Sequence, residues 1–204
     1  MIKDIERRVV VGAVAMRQLD EHRSVIEGYG AVFGEETIIS GGWNDFREQI
    51  EPGAFDEALT RDDVRALFNH QSSLVLGRTR AKTLALSVDA KGLHYVIDPP
   101  NTSYANDLRE SITRGDVSQS SFAFRVLEDT WEKPMRSGEL PLRKVRKIEL
   151  HDVSPVTYPA YEGTSVSARA KDDAQLNAGP SLITIETKHG DRLRVEWAIV
   201  EAEC

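Results

Sequence analysis

Leu84, Leu86 and Val88 alternate with Thr83, Ala85 and Ser87, the period of two that turns one face of a strand to a core and the other to water. Comparable apolar runs between glycine and proline signals predict strands over residues 9–16, 25–33, 64–69, 84–88, 93–97, 121–126 and 145–157. Two stretches read as helix instead. Glu51, Pro52 and Gly53 turn the chain into a short helix over residues 54–59. Between Ser103 and Thr113, Ala105, Leu108 and Ile112 share a face at spacings of three and four, with Thr102 or Ser103 as cap and Arg114-Gly115 as stop. Residues 128–141, with Pro134, Gly138 and Pro141, read as an exposed loop between two strands. The fold class predicted is mainly β with helices, an α+β chain.

The pattern changes after Arg169. Residues 171–180 are polar and rich in turn formers, and residues 182–188 and 192–200 then read as a strand pair turned by His189-Gly190-Asp191. In the second of these, Leu193, Val195, Trp197 and Ile199 alternate with Arg192, Arg194 and Glu196. The organisation expected is a domain over residues 1–170, a linker over 171–181 and, over 182–204, a small C-terminal β-hairpin or extra strands of the main sheet.

Composition narrows the function classes. With 204 residues, 40% hydrophobic and 29% charged, the chain has the make-up of a globular protein and is long enough for a sizeable core. The one cysteine, Cys204, leaves no partner for an intramolecular disulfide and no thiolate ligand set for zinc. A balance of 26 basic against 33 acidic residues, net −7, opposes binding to a phosphate backbone, so no nucleic-acid partner is expected. The apolar run over residues 9–16 is too short to cross a bilayer, and Asp4 and Glu6 spoil the basic start of an export signal, so no membrane partner is expected either. Arg143, Lys144, Arg146 and Lys147 read as a solvated strand face able to steer an acidic segment.

Three segments carry candidate chemistry. His70 follows Ala66-Leu67-Phe68 and precedes Gln71-Ser72-Ser73, where a rigid element ends and an imidazole can face a cleft; the plain alternative is a polar turn residue. Ser121 opens a strand with Phe122, Ala123 and Phe124, which would hold its hydroxyl still. A serine is a weak nucleophile until a base takes its proton, so it needs a histidine in reach. Glu149, His151 and Asp152 lie on a third strand, from which a carboxylate or second histidine can orient the first imidazole. Gly28, Gly30 and Gly34 only approximate a phosphate loop, and His70, His94 and His151 lack zinc-site spacing.

Five segments in order resemble the prohead proteases of tailed phages of the HK97 type: Gly28-Tyr29-Gly30-Ala31-Val32-Phe33, Ile50-Glu51-Pro52-Gly53-Ala54-Phe55, Leu67-Phe68-Asn69-His70, Gly115-Asp116-Val117 through Ser121-Phe122-Ala123-Phe124, and Asp152-Val153-Ser154-Pro155-Val156-Thr157-Tyr158-Pro159-Ala160. The resemblance spans residues 25–168. It implies a serine endopeptidase, related in fold to the herpesvirus assemblins, with a β-barrel core surrounded by helices. It also implies His70 as general base, Ser121 as nucleophile and Asp152 as third member, with His151 and Glu149 the competing candidates. Ala123, Asp152 and Tyr161 depart from the glycine, glutamate and asparagine more usual in the family. Oxyanion donors are sought in Glu162-Gly163-Thr164. No cofactor or metal is implied. The implied partners are the major capsid protein or a scaffolding protein, and a second copy of the chain in a dimer. The implied location is the interior of the phage prohead in the bacterial host cytoplasm. The competing expectations are a noncatalytic scaffolding or assembly protein that retains the protease fold, and an unrelated β-rich hydrolase.

Overall fold

A computed structural model describes residues 4–10, 14–20, 23–40 and 45–158, together with the backbone of two later strands. The chain divides into two compact units, Met1–Glu162 and Gly163–Cys204. In the second unit Ile183–Glu186 pairs antiparallel with Arg192–Val195. The rest of the expected tail, its linker and its turn lie outside the described residues, as do Glu162-Gly163-Thr164.

The first unit is mostly strand. In chain order it runs β1 (Glu6–Val10), β2 (Val14–Gln18), β3 (Ser24–Val32), β4 (Glu36–Ile39), β5 (Phe46–Ile50), α1 (Asp56–Arg61), β6 (Arg65–Phe68), β7 (Gln71–Arg78), β8 (Leu84–Val88), β9 (Gly92–Ile97), α2 (Ser103–Arg114), β10 (Gln119–Glu132) and β11 (Leu142–Val156). A seven-stranded sheet has the order β1-β10-β11-β5-β4, with β6 also on β11 and β7 on β6. A four-stranded antiparallel sheet has the order β2-β3-β9-β8. Among the described residues these pairings close no ring, so the closed barrel expected from the resemblance is not found. The α+β class is, with α1 and α2 as the described helices.

Three boundaries correct the sequence reading. The apolar run over residues 9–16 is not one strand, since its two ends belong to β1 and β2 in different sheets. The expected loop over residues 128–141 shrinks to 133–141, because β10 and β11 extend as a long antiparallel pair out to Glu132 and Leu142. In β4, β5 and β7 polar and apolar residues come in blocks rather than in alternation, and these strands were not expected.

β11 organises the large sheet. Its first part pairs in parallel with β5 through Leu142–Val145, and its last part pairs in parallel with β6 through Asp152 and Val153. Between these ladders the segment carrying α1 fills the edge: Glu51 N donates to Val145 O, Ile148 N to Ala54 O, and Leu150 N to an Asp62 carboxylate oxygen. α2 ends as expected at Gly115, whose φ of +84° only glycine adopts freely, with Asp116 N returning to Ser111 O. At its start Thr102 has the extended backbone of a cap, but its hydroxyl makes no capping bond.

The core joins the two sheets. Ile26, Leu93, Tyr95 and Ile97 of one meet Phe122, Phe124, Leu150 and Val153 of the other. Phe122 stacks on Phe124 at 4.6 Å and meets Phe55 edge-on at 5.8 Å. Burying each such ring contributes about 1.5–3 kcal/mol relative to exposure. Since Phe122 and Phe124 face this core, Ser121 and Ala123 between and beside them face the other way.

The basic cluster keeps its expected solvated face at Lys144, Arg146 and Lys147 and departs from it at Arg143. Arg143 is buried and paired with Glu6 at 2.8 Å, Glu48 at 3.0 Å and Asp129 at 2.8 Å. Lys144 pairs with Glu132, Arg146 with Glu51 and Lys147 with Glu57. A charge this well matched fixes strand register more than it attracts a distant acidic segment.

Candidate active site

The face of β10 turned from the core carries Ser121 and Ala123. Antiparallel register sets Ser154 opposite Ser121 and Asp152 opposite Ala123, and residues opposed across such a ladder share a face. Serines 121 and 154 and Asp152 therefore form one polar patch on two neighbouring strands. All three are buried, Ser121 and Ser154 completely.

His70 reaches this patch from a turn. β6 and β7 pair up to Phe68 and Gln71, leaving Asn69 and His70 as a two-residue loop with φ of +53° and +57°. Two successive positive φ values are the signature of the hairpin turn that matches strand twist, and asparagine and histidine tolerate that region better than most residues. His70 is thus both the polar turn residue of the plain reading and an imidazole aimed at the neighbouring strands.

Its two ring nitrogens have different partners. Nδ1 lies 2.6 Å from Asp152 Oδ1, and Nε2 lies 2.7 Å from Ser121 Oγ. A carboxylate oxygen only accepts, which assigns the imidazole proton to Nδ1 and leaves Nε2 to accept from the Ser121 hydroxyl. Asp152 Oδ1 also accepts from Ser154 Oγ at 2.7 Å. The result is a continuous chain from serine hydroxyl through imidazole to a carboxylate held by a second hydroxyl, in surroundings where such bonds are strong.

The competing third members lie elsewhere. Glu149 pairs with Arg125 at 2.6 Å. His151 is the extra residue at a register shift, where Ala123 opposes Asp152 and Phe124 opposes Leu150. Its Nε2 is buried without a hydrogen-bond partner and lies 4.0 Å from Glu149. A bulge re-aims side chains, and here it separates His151 from the imidazole that Asp152 meets.

Sequence reasoning did not single out Ser154 or Asn69. Ser154 carries a signal in retrospect, because it stands two residues from Asp152 on a strand and so shares its face. Asn69 carries only its neighbourhood to His70, since its partners are 88 residues away. Among the described residues, no group of three or more histidine, cysteine or acidic side chains is arranged to hold a metal ion, and no helix is long and apolar enough to cross a membrane. A cleft of about 460 Å³ lies beside the sheet, lined by residues including Arg8, Glu48, Lys91 and Phe122, and none of His70, Ser121 and Asp152 lines it.

Chemically, the arrangement can move a proton from a hydroxyl to an imidazole and stabilise the imidazolium formed, which is what an acyl-transfer nucleophile requires. Comparison with known proteins gives one family match: the model described as caudovirus prohead serine protease covers residues 13–178. No curated protein and no solved structure matches the chain.

Proposed function

The chain belongs to the caudovirus prohead serine protease family, and on that premise we propose that it is a serine endopeptidase that cleaves the scaffolding protein or the scaffold-like arm of the major capsid protein inside the immature capsid. Family membership makes it a capsid maturation protease. The assignment of His70, Ser121 and Asp152 as its machinery rests on one observation, the hydrogen-bonded chain of 2.7 and 2.6 Å through the two nitrogens of His70.

In the reaction, His70 Nε2 takes the Ser121 proton as Oγ attacks the scissile carbonyl carbon. The tetrahedral intermediate collapses, the C–N bond breaks, and the imidazolium returns the proton to the leaving amine. Water then gives a proton to His70 as it attacks the acyl-enzyme, and the serine is regenerated with release of the new carboxyl end. Throughout, Asp152 keeps the second imidazole proton on Nδ1 and stabilises the transient positive charge.

Ser121 has no solvent exposure. A scissile carbonyl reaches so enclosed a hydroxyl only as neighbouring groups shift, and the proposal includes activity that rises on assembly, as a dimer or at the protein concentration inside a prohead. The proposal also includes self-cleavage between residues 168 and 180, the polar, turn-rich stretch ahead of the tail, and a location inside the prohead in the host cytoplasm.

The test is coexpression with the phage's own major capsid protein, in native form and as Ser121→Ala, with every product read by intact mass. Shortened capsid protein with the native chain alone is expected. Equal capsid masses in both, with shells assembled, would favour a noncatalytic assembly protein.

A further inference from the structure

We propose that Asn69 is a positioning residue that holds the His70 turn at its working height over Ser121 and Asp152; this rests on the catalytic assignment above. Backbone pairing between β6 and β11 covers only Arg65 with Asp152 and Ala66 with Val153. Beyond that point the β6–β7 hairpin rises toward its tip with no further ladder to β11, and the tip is where His70 sits. Asn69 supplies the missing attachment. Its backbone N–H donates to Pro155 O at 3.0 Å, its Oδ1 accepts from Thr157 N at 2.9 Å, and its Nδ2 donates to Thr157 Oγ1 at 3.2 Å.

These bonds end on Pro155, in the strand that carries Asp152 and Ser154, and on Thr157, the second residue after Pro155. The turn bearing the imidazole and the strand bearing its carboxylate are therefore clamped at both ends, by the ladder at Asp152 and by Asn69 at Thr157. The side chain hydrogen-bonds to Thr157 and to neither Ser121 nor Asp152, so it acts through His70. Its role matters because a displacement of about 1 Å in a reacting group costs about a hundredfold in rate, and His70 must keep two short contacts at once.

A positive φ at position 69 is a separate demand, and glycine satisfies it. Asn69→Gly thus keeps the turn and its N–H bond to Pro155 while removing both side-chain bonds. Asn69→Asp keeps the acceptor for Thr157 N, and the Thr157 hydroxyl can rotate to donate to the second carboxylate oxygen.

The experiment measures, on the full chain, the second-order rate of Ser121 modification by a fluorophosphonate probe, alongside the strongly deshielded NMR signal of the His70 Nδ1 proton. Asn69→Gly is expected to slow modification by about tenfold or more, the worth of one to two lost hydrogen bonds, and to broaden or erase that signal. Asn69→Asp is expected to restore most of both. Thr157→Val, which removes only Oγ1, gives an intermediate loss and serves if the glycine variant does not fold. Asn69→Gly at the native rate with the proton signal intact, while His70→Ala abolishes modification, would overturn the clamp and leave the catalytic assignment standing. Modification of His70→Ala at the native rate would instead remove that assignment and the clamp with it.

Discussion

Replacing Asp152 by asparagine keeps the outline of the side chain and removes its charge. The carboxylate accepts from His70 Nδ1 at 2.6 Å and from Ser154 at 2.7 Å, so its charge lies roughly 4 Å from the centre of the imidazolium that forms during attack. At an effective dielectric constant of about 20, that separation is worth about 4 kcal/mol. Converted at 1.36 kcal/mol per tenfold, Asp152→Asn lowers kcat by about a thousandfold. A carboxamide that turns its NH₂ toward Nδ1 adds to the loss by holding the imidazole proton on Nε2, where it cannot accept from Ser121. The assay is the rate of capsid-protein shortening at neutral pH in the coexpressed complex, with Glu149→Gln and His151→Ala beside it. Those two are expected to stay within a few-fold of the native rate, because neither residue meets His70. A loss below tenfold for Asp152→Asn, or an equal loss for His151→Ala, would refute the assignment of the third member.

Three further outcomes follow from individual contacts. Ser154→Ala removes one of the two donors to the Asp152 carboxylate, a bond to a charged acceptor worth about 1.5–3 kcal/mol; a loss of roughly tenfold to a hundredfold in kcat at unchanged KM is expected from steady-state cleavage kinetics. Gly115→Ala forces a Cβ into φ of +84° in open space, and the strain lowers stability by about 1–2 kcal/mol in a urea titration. The Arg78 hydrogen bond holds the Asp63 carboxyl down from 3.8 to about 2, and this pair ties the base of the hairpin that carries His70. The folded value lies below the unfolded one, so the stabilisation is present above pH 3.8 and disappears as pH falls toward about 2. Thermal melts across that window should therefore show a smaller acid loss for Asp63→Asn than for the native chain.

Much of the fold could be read from side-chain period where one face is buried and one is wet. β8 and β9 are of that kind, and α2 announces both its face and its glycine stop. The run over residues 9–16 misled because its apolar pattern is the same whether the chain stays in one sheet or crosses to another. β7 misled for the opposite reason: its pairing with β6 runs from Gln71 to Arg78, and its first residues, Gln71, Ser72 and Ser73, are exposed and carry no apolar pattern. Arg143 appeared solvated because its partners Glu6 and Glu48 are 137 and 95 residues away. The site was legible as three separate candidates, His70, Ser121 and Asp152, on elements of suitable type. The feature hidden from the chain order is what brings them together: a two-residue turn at positive φ, a bulge at His151, and the hydroxyl and amide of Ser154 and Asn69.

The central claim is that Ser121 is a nucleophile activated by His70. Its most direct measurement is to treat the full chain with a fluorophosphonate probe, digest it with trypsin, and locate the adduct by fragmentation within the peptide from Gly115 to Arg125. That peptide also holds Ser118 and Ser120, which serve as internal controls. The account predicts a single adduct on Ser121, formed by the native chain and absent from His70→Ala. An adduct on another serine, or equal labelling of Ser121 without His70, would contradict it.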